Sequence, residues 1–392
     1  MKFIKAIALA AAAALSAGVL SSCSNDSLRP HDPLPAMKTL FIYAGYRYET
    51  TDAKYVEYSD EDLQKLKDIG VTEVCIAYGT PVVSYTPEGA TEPQMIVTEE
   101  DVNNMSPELL GPDKTESDIS NLKTIYAERA RGLDSGLTIE SYADFALELM
   151  ERLIALDPEI KIWYSFPDIS IPILSQMYIE PFLQYYEMMK SGTGEEIWNN
   201  NIQGFYWCRE DIPTGSYDNF DTENLVDFDN EMVKAMKACA DAVHDDGKLT
   251  FWCPYYRPTA SVGMPIGFIA NLTDIFDYVI LQPNHVFNDG LENNIEIIKE
   301  STLQNSVLNQ SMVAYGGEKK SSTMVGPEIE MQAEDFNGTN GEEILSRYQD
   351  YVDAYSDMVG EYPMAFYCGS RPSLMDDRVL GFLEDLLSGS AE

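Results

Sequence analysis

Eight short apolar runs recur along this chain, and a helical pattern follows each of them. The runs are Thr39–Tyr46, Glu73–Tyr78, Ile160–Phe166, Ile202–Cys208, Leu249–Tyr255, Tyr278–Gln282, Met324–Ile329 and Met364–Cys368. Each is rich in β-branched or aromatic residues, as strands are. None alternates strictly between apolar and polar, which fits strands buried on both faces. The helical patterns cover Ser59–Ile69, Ser141–Leu156, Ile173–Met189, Asn224–His244, Met264–Leu272, Asn293–Asn309, Glu342–Val359 and Ser373–Leu387. Strand–helix alternation repeated eight times predicts parallel strands with right-handed crossovers. Its natural closure is a single-domain α/β fold, a (β/α)8 TIM-type barrel. An open doubly wound sheet is the alternative, but no Gly-rich turn of dinucleotide spacing follows the first run.

The N-terminus carries an export pattern. Lys2 and Lys5 precede the apolar run Ile7 to Leu20, which is too short to span a bilayer comfortably. The run ends in Leu20-Ser21-Ser22-Cys23, which resembles a bacterial lipobox. That resemblance implies cleavage of residues 1–22, lipidation of Cys23 and anchoring in the cell envelope, with the outer membrane and the cell surface as expected locations. Residues 23–36 read as a polar, Pro-rich tether, and 37–392 as the barrel. The segment from about 80 to 136 is long, polar and punctuated by Pro81, Pro87, Pro93, Pro107 and Pro112. Insertions of that length are usually functional or mobile, and this one leaves from the face where barrels carry their chemistry.

A net charge of −39 excludes nucleic acid as a partner and repels anionic membranes. Apart from Cys23, five Cys remain, without close spacing, so they read as small buried hydrophobes rather than a disulfide framework. The three His are far apart in sequence, which argues against a zinc site. No metal and no cofactor is expected. Oligomeric state is not legible.

In barrels of this kind function sits where strands run into the following loops. There the chain places Tyr46 and Arg47, Tyr78, Trp163, Trp207 and Arg209, Trp252, Tyr256 and Arg257, Gln282, Asn284 and His285, and Tyr367 and Arg371. Aromatic rings suit the C–H face of a sugar. The arginines suit carboxylates, whether of the protein or of an acidic sugar or sulfate. Glu210 follows the fourth run, and Glu328 and Glu330 share one side of the seventh. Two carboxylates across a cleft are what glycosidic hydrolysis needs. Aromatic neighbours should raise the pKa of Glu210, so it is expected to be the acid/base. Glu328 is the first choice for nucleophile and Glu330 the second.

The plan resembles retaining glycoside hydrolases that place the acid/base after the fourth strand and the nucleophile after the seventh. Those enzymes commonly carry Asn before the acid/base, where this chain has Arg209. The chain also looks like a family of lipoproteins and secreted proteins from Bacteroidota and related gut bacteria. The similarity lies in Gly204-Phe205-Tyr206-Trp207 with Arg209-Glu210, in Asp277 to Asn284, and in Gly326-Pro327-Glu328-Ile329-Glu330. It implies a glycosidase-like barrel and names no substrate. The expected function is hydrolysis of an extracytoplasmic glycan by two carboxylates. The alternative is a non-catalytic glycan-binding lipoprotein on the same scaffold.

Overall fold

The computed structural model describes residues 34–49, 52–78, 84–87, 89–92, 94–95, 120, 138–168, 179–212, 231–288, 290–336 and 340–389. The expected signal peptide, Cys23 and most of the expected tether and of the 80–136 segment lie outside them.

Eight parallel strands form the barrel: β1 (Lys38–Glu49), β2 (Glu73–Tyr78), β3 (Lys161–Ser165), β4 (Ile202–Trp207), β5 (Leu249–Trp252), β6 (Tyr278–Leu281), β7 (Met324–Glu330) and β8 (Met364–Tyr367). Each pairs with the next in chain order, and β8 returns to β1 in the register Lys38↔Met364, Thr39↔Ala365 and Leu40↔Phe366. The ring is therefore closed, with no free edge.

Eight principal helices pack outside: α1 (Asp60–Asp68), α2 (Ile139–Leu156), α3 (Ile179–Thr193), α4 (Glu231–Asp245), α5 (Ala260–Leu272), α6 (Glu292–Leu303), α7 (Gly341–Tyr355) and α8 (Asp377–Ser388). Local chemistry sets several of their ends. Ser59 and Asp62 form a reciprocal capping box at the start of α1, and Gly70 follows its end with φ 88°. The sixth helix is shorter than the pattern to Asn309 suggests, because Asn305 turns to φ 49°. The last pattern splits in two: Arg371–Leu374 is a separate turn, and Asp376 caps α8.

Side chains alternate across each strand and sort into two cores. The outer core, between strands and helices, takes Leu40, Ile42, Ile76, Trp207, Trp252, Val279, Val325 and Ile329. The inner core fills the barrel with Phe41, Cys75, Trp163, Tyr206, Phe251, Tyr278 and Ile280. Tyr206 and Phe251 stack there at 4.7 Å. Two interior positions are glycines because neighbouring backbone occupies the side-chain space. A Cβ on Gly204 would lie 1.7 Å from the Leu249 carbonyl oxygen, and one on Gly326 would lie 1.7 Å from that of Pro363.

Leu34 to Met37 close the N-terminal end of the barrel. The Tyr278 hydroxyl donates to the Pro35 carbonyl (2.9 Å), and Leu34 and Met37 pack on the inner core. Half-buried Glu73 belongs to this plug. Its carboxylate accepts from the Lys38 backbone N–H (3.1 Å) and from Trp163 Nε1 (2.6 Å). At the opposite end β1 runs past the barrel and pairs antiparallel with Asp52–Val56, placing Tyr46 against Tyr55 and Arg47 against Lys54. Ser84–Tyr85 and Gln94–Met95 form a small antiparallel ribbon in the insertion.

Candidate active site

The strand alternation that turns Gly204 and Tyr206 inward continues to Glu210, and the one that turns Met324 and Gly326 inward continues to Glu328 and Glu330. All three carboxylates therefore come to the C-terminal end of the barrel, close enough for their charges to interact.

Their surroundings differ. Glu210 is exposed. Its Oε1 accepts from Gln282 Nε2 at 3.1 Å, and its carbonyl accepts from the Tyr255 backbone N–H at 3.0 Å. Protein crowds it closely enough that desolvation raises its pKa, against the Gln282 hydrogen bond, which lowers it. Glu330 is buried and held by two donors, the Tyr351 hydroxyl and the Asn284 backbone N–H. Burial nonetheless lifts its pKa to about 8. Asn284 reaches that position with φ 55°, in the left-handed region that Asn tolerates better than most residues. Glu328 is 2% exposed, and its carboxyl makes no hydrogen bond among the described residues. Desolvation, then the charges of Glu330 and Glu210, push its pKa far above the carboxylate range. Of the β7 pair, Glu330 is engaged by its neighbours and Glu328 is the unengaged carboxyl.

Two tyrosines complete the cluster. Tyr43 interacts with Glu210, Glu328 and Tyr367, and burial raises its pKa. Its ring meets Tyr367 edge-on at 5.8 Å, and Tyr367 meets Phe287 at 6.3 Å. Phe287 is 36% exposed. A path of aromatic edges thus runs from inside the barrel to the surface. Sequence reading missed Phe287, which lies in a loop past Asn284 and outside any periodic pattern.

Several expected cleft residues sit elsewhere. Trp207 packs on Phe166 and Phe182 in the outer core. Trp252 lies in the same layer, its Nε1 donating to the Arg209 carbonyl at 2.6 Å. Tyr256 is buried and donates to the Leu308 carbonyl. Tyr78 reaches Tyr185 and the Tyr142 carbonyl between strands and helices. Trp163 faces inward but is spent on the Glu73 plug. His285 is buried against Tyr351 and bonds Asp350 at 2.8 Å. Arg371 clasps Asp62, the capping residue of α1, at 2.6 Å, and so ties the chain after β8 to the first helix. Arg209 pairs with Asp211 at 2.6 Å. Tyr46 and Arg47 are placed by their backbone on the β1 extension. Gln282, Asn284 and Tyr367 remain beside the carboxylates, and Arg257 follows Tyr255 at the same end of the barrel.

Among the described residues no group of three or more His, Cys, Asp or Glu is placed to hold a metal ion. The five described cysteines are free thiols, and all but Cys208 are buried.

No family model and no curated protein matches the chain. Solved structures similar to it include a candidate alpha-L-fucosidase from Bacteroides thetaiotaomicron, 12% identical with a TM-score of 0.39 over 95% of this chain and 98% of that one. The tandem GH20 catalytic modules of the pneumococcal exo-beta-D-N-acetylglucosaminidase are 12% identical, with a TM-score of 0.38 over 91% and 83%. A candidate dihydrodipicolinate synthetase from Pseudomonas aeruginosa is 10% identical, with a TM-score of 0.29 over 91% and 100%. At such scores no activity carries across, and the barrel rests on its own strand pairing.

Proposed function

We propose that this protein is a glycoside hydrolase whose working carboxylates are Glu210 and Glu328. The observation that carries this reading is the convergence of Glu210, Glu328 and Glu330 at the C-terminal end of one closed barrel, with mutually interacting charges and raised pKa values. Hydrolysis through a covalent intermediate needs one protonated carboxyl, which donates its proton to the leaving-group oxygen, and one ionised carboxylate, which attacks the anomeric carbon. The order of ionisation supplies the assignment. Glu328, buried and next to Glu330, keeps its proton to higher pH than Glu210, which is exposed and bonded by Gln282. Glu328 is then the proton donor, and Glu210 the nucleophile. This reverses the roles expected from sequence, in which the aromatic neighbours of Glu210 favour it as the acid. Burial first, and then the neighbouring Glu330, favour the protonated form of Glu328.

The alternative is a non-catalytic glycan-binding protein, for which Tyr43, Tyr367 and Phe287 would supply the aromatic contacts, since all four Trp of the chain are buried. The test is a screen of the purified protein against host and plant oligosaccharides with detection of reducing-end products. Product from the wild type, and none from Glu328→Gln, is the expected result. Binding without product from any member would leave a binding protein.

We further infer export and lipid anchoring at Cys23, on the strength of Lys2, Lys5, the apolar run and Leu20-Ser21-Ser22-Cys23. Among the described residues no helix is long and apolar enough to cross a membrane. Cys23→Ser is expected to move the protein from the membrane pellet to the soluble fraction. Retention in the pellet would refute a lipid at that position.

A further inference from the structure

The structure disposes of two of the arginines that follow barrel strands: Arg371 is committed to Asp62 and Arg209 to Asp211. Arg152, Arg347 and Arg378 on other elements also pair with carboxylates. Arg257 does not. Its guanidinium lies 5.2 Å from the centroid of the Tyr255 ring, and among the described residues no carboxylate meets it. Its Nε is buried without an acceptor among the described residues, and the residue as a whole is half-buried. In a chain with 65 acidic residues against 26 basic ones, an arginine without an acidic partner stands out.

Its location gives this a use. Arg257 lies in the loop after β5, on the same face as the carboxylates. The Tyr255 backbone N–H donates to the Glu210 carbonyl, and Tyr255 bridges to Gln282, whose side chain holds the Glu210 carboxylate. The loop that carries Arg257 is thus bonded to the segment that carries Glu210.

We propose that Arg257, braced on the Tyr255 ring, is an anion subsite that takes the carboxylate or sulfate of an acidic sugar. The planar fork matches both groups and makes charge-assisted hydrogen bonds to them. The ring holds the arm by a cation–π contact, so less freedom is lost when ligand arrives. The strongly negative remainder of the protein repels an extended polyanion. The subsite therefore selects a glycan with an isolated acidic residue. This inference rests on the reading of the neighbouring carboxylates as a glycan site.

The test is calorimetric titration of the purified protein with a galactose trisaccharide in which one residue is galacturonic acid, its carboxyl-reduced neutral counterpart and the same neutral trisaccharide carrying a single sulfate. At least one acidic probe is expected to bind about tenfold or more tightly than the neutral one, with the preference shrinking as salt is added. Arg257→Gln should bring that preference close to unity, and Arg257→Lys should keep part of it. The arm that loses affinity tells carboxylate from sulfate. Equal binding of acidic and neutral probes, no binding of either acidic probe, or a preference unchanged in a normally melting Arg257→Gln protein would overturn the proposal. The readout is independent of turnover. An Arg257-dependent acidic preference without hydrolysis would remove the hydrolase and keep the subsite. Hydrolysis without any acidic preference would do the reverse.

Discussion

Glu210→Ala is expected to lower turnover of an aryl glycoside by at least about 10³-fold, and added azide is expected to restore it as a glycosyl azide of inverted anomeric configuration. The argument starts from which carboxyl is charged in the free protein. The Glu328 carboxyl is buried, without a hydrogen bond among the described residues and beside a second carboxyl, whereas Glu210 is exposed and stabilised by an amide donor. The charged form is therefore cheaper at Glu210, and a nucleophile must be charged. With Glu210 shortened to Ala, azide can occupy its place and attack the anomeric carbon directly, in a single inversion. Had Glu210 been the acid/base, azide would instead intercept a covalent intermediate, and the product would keep the starting configuration. The anomeric configuration of the azide, read by NMR coupling constants, decides between the two. A retained product would restore Glu328 as nucleophile and remove the ionisation argument. The mirror experiment, Glu328→Ala, is expected to give the retained azide.

Much of the scaffold was legible because alternation of strands and helices is a long-range pattern that does not depend on any one residue. β2 falls on Glu73–Tyr78 as its apolar run suggests, and all eight strands fall within their runs or extend them by a few residues. What the pattern could not tell was which face each strand residue takes. Strands buried on both sides are apolar on both sides, so composition does not mark the inward positions. Trp207 and Tyr206 illustrate this. Both are large and aromatic, yet Tyr206 fills the barrel while Trp207 packs on helices. Trp252 and Phe251 divide in the same way. The carboxylates escape the ambiguity because charge is costly in the outer core, which leaves the barrel mouth as their place. Counting in twos from the interior glycines, Gly204 and Gly326, would have placed Glu210, Glu328 and Glu330 inward and Trp207 outward from sequence alone. The arginines were illegible for another reason. Asp62, which Arg371 clasps, lies more than 300 positions earlier in the chain, and no local pattern announces such a contact.

Glu328→Gln is expected to abolish activity and at the same time make the protein more stable at alkaline pH. Burial holds the pKa of Glu330 at about 8 and that of Glu328 far above its usual value, while both ionise near 4.5 in the unfolded chain. Between roughly pH 5 and 8 the folded state therefore binds more protons than the unfolded state, so stability falls as pH rises. The contribution is fully present below the unfolded pKa and is lost as pH climbs through the folded one. Its size for two interacting buried carboxyls is on the order of a few kcal/mol. An amide at 328 keeps the shape and cannot ionise, so it removes its own share of that slope. Thermal unfolding from pH 5 to 9 should show a flatter dependence for the variant and a melting temperature a few degrees higher at pH 8, with little difference at pH 5. Glu210→Gln is the control, because an exposed carboxyl has much less desolvation to recover. Parallel pH profiles for wild type and Glu328→Gln would show that the wild-type protein does not hold a proton there, and the donor role would go with it. Stability surrendered at a residue whose removal ends activity marks a carboxyl retained for chemistry and not for the fold.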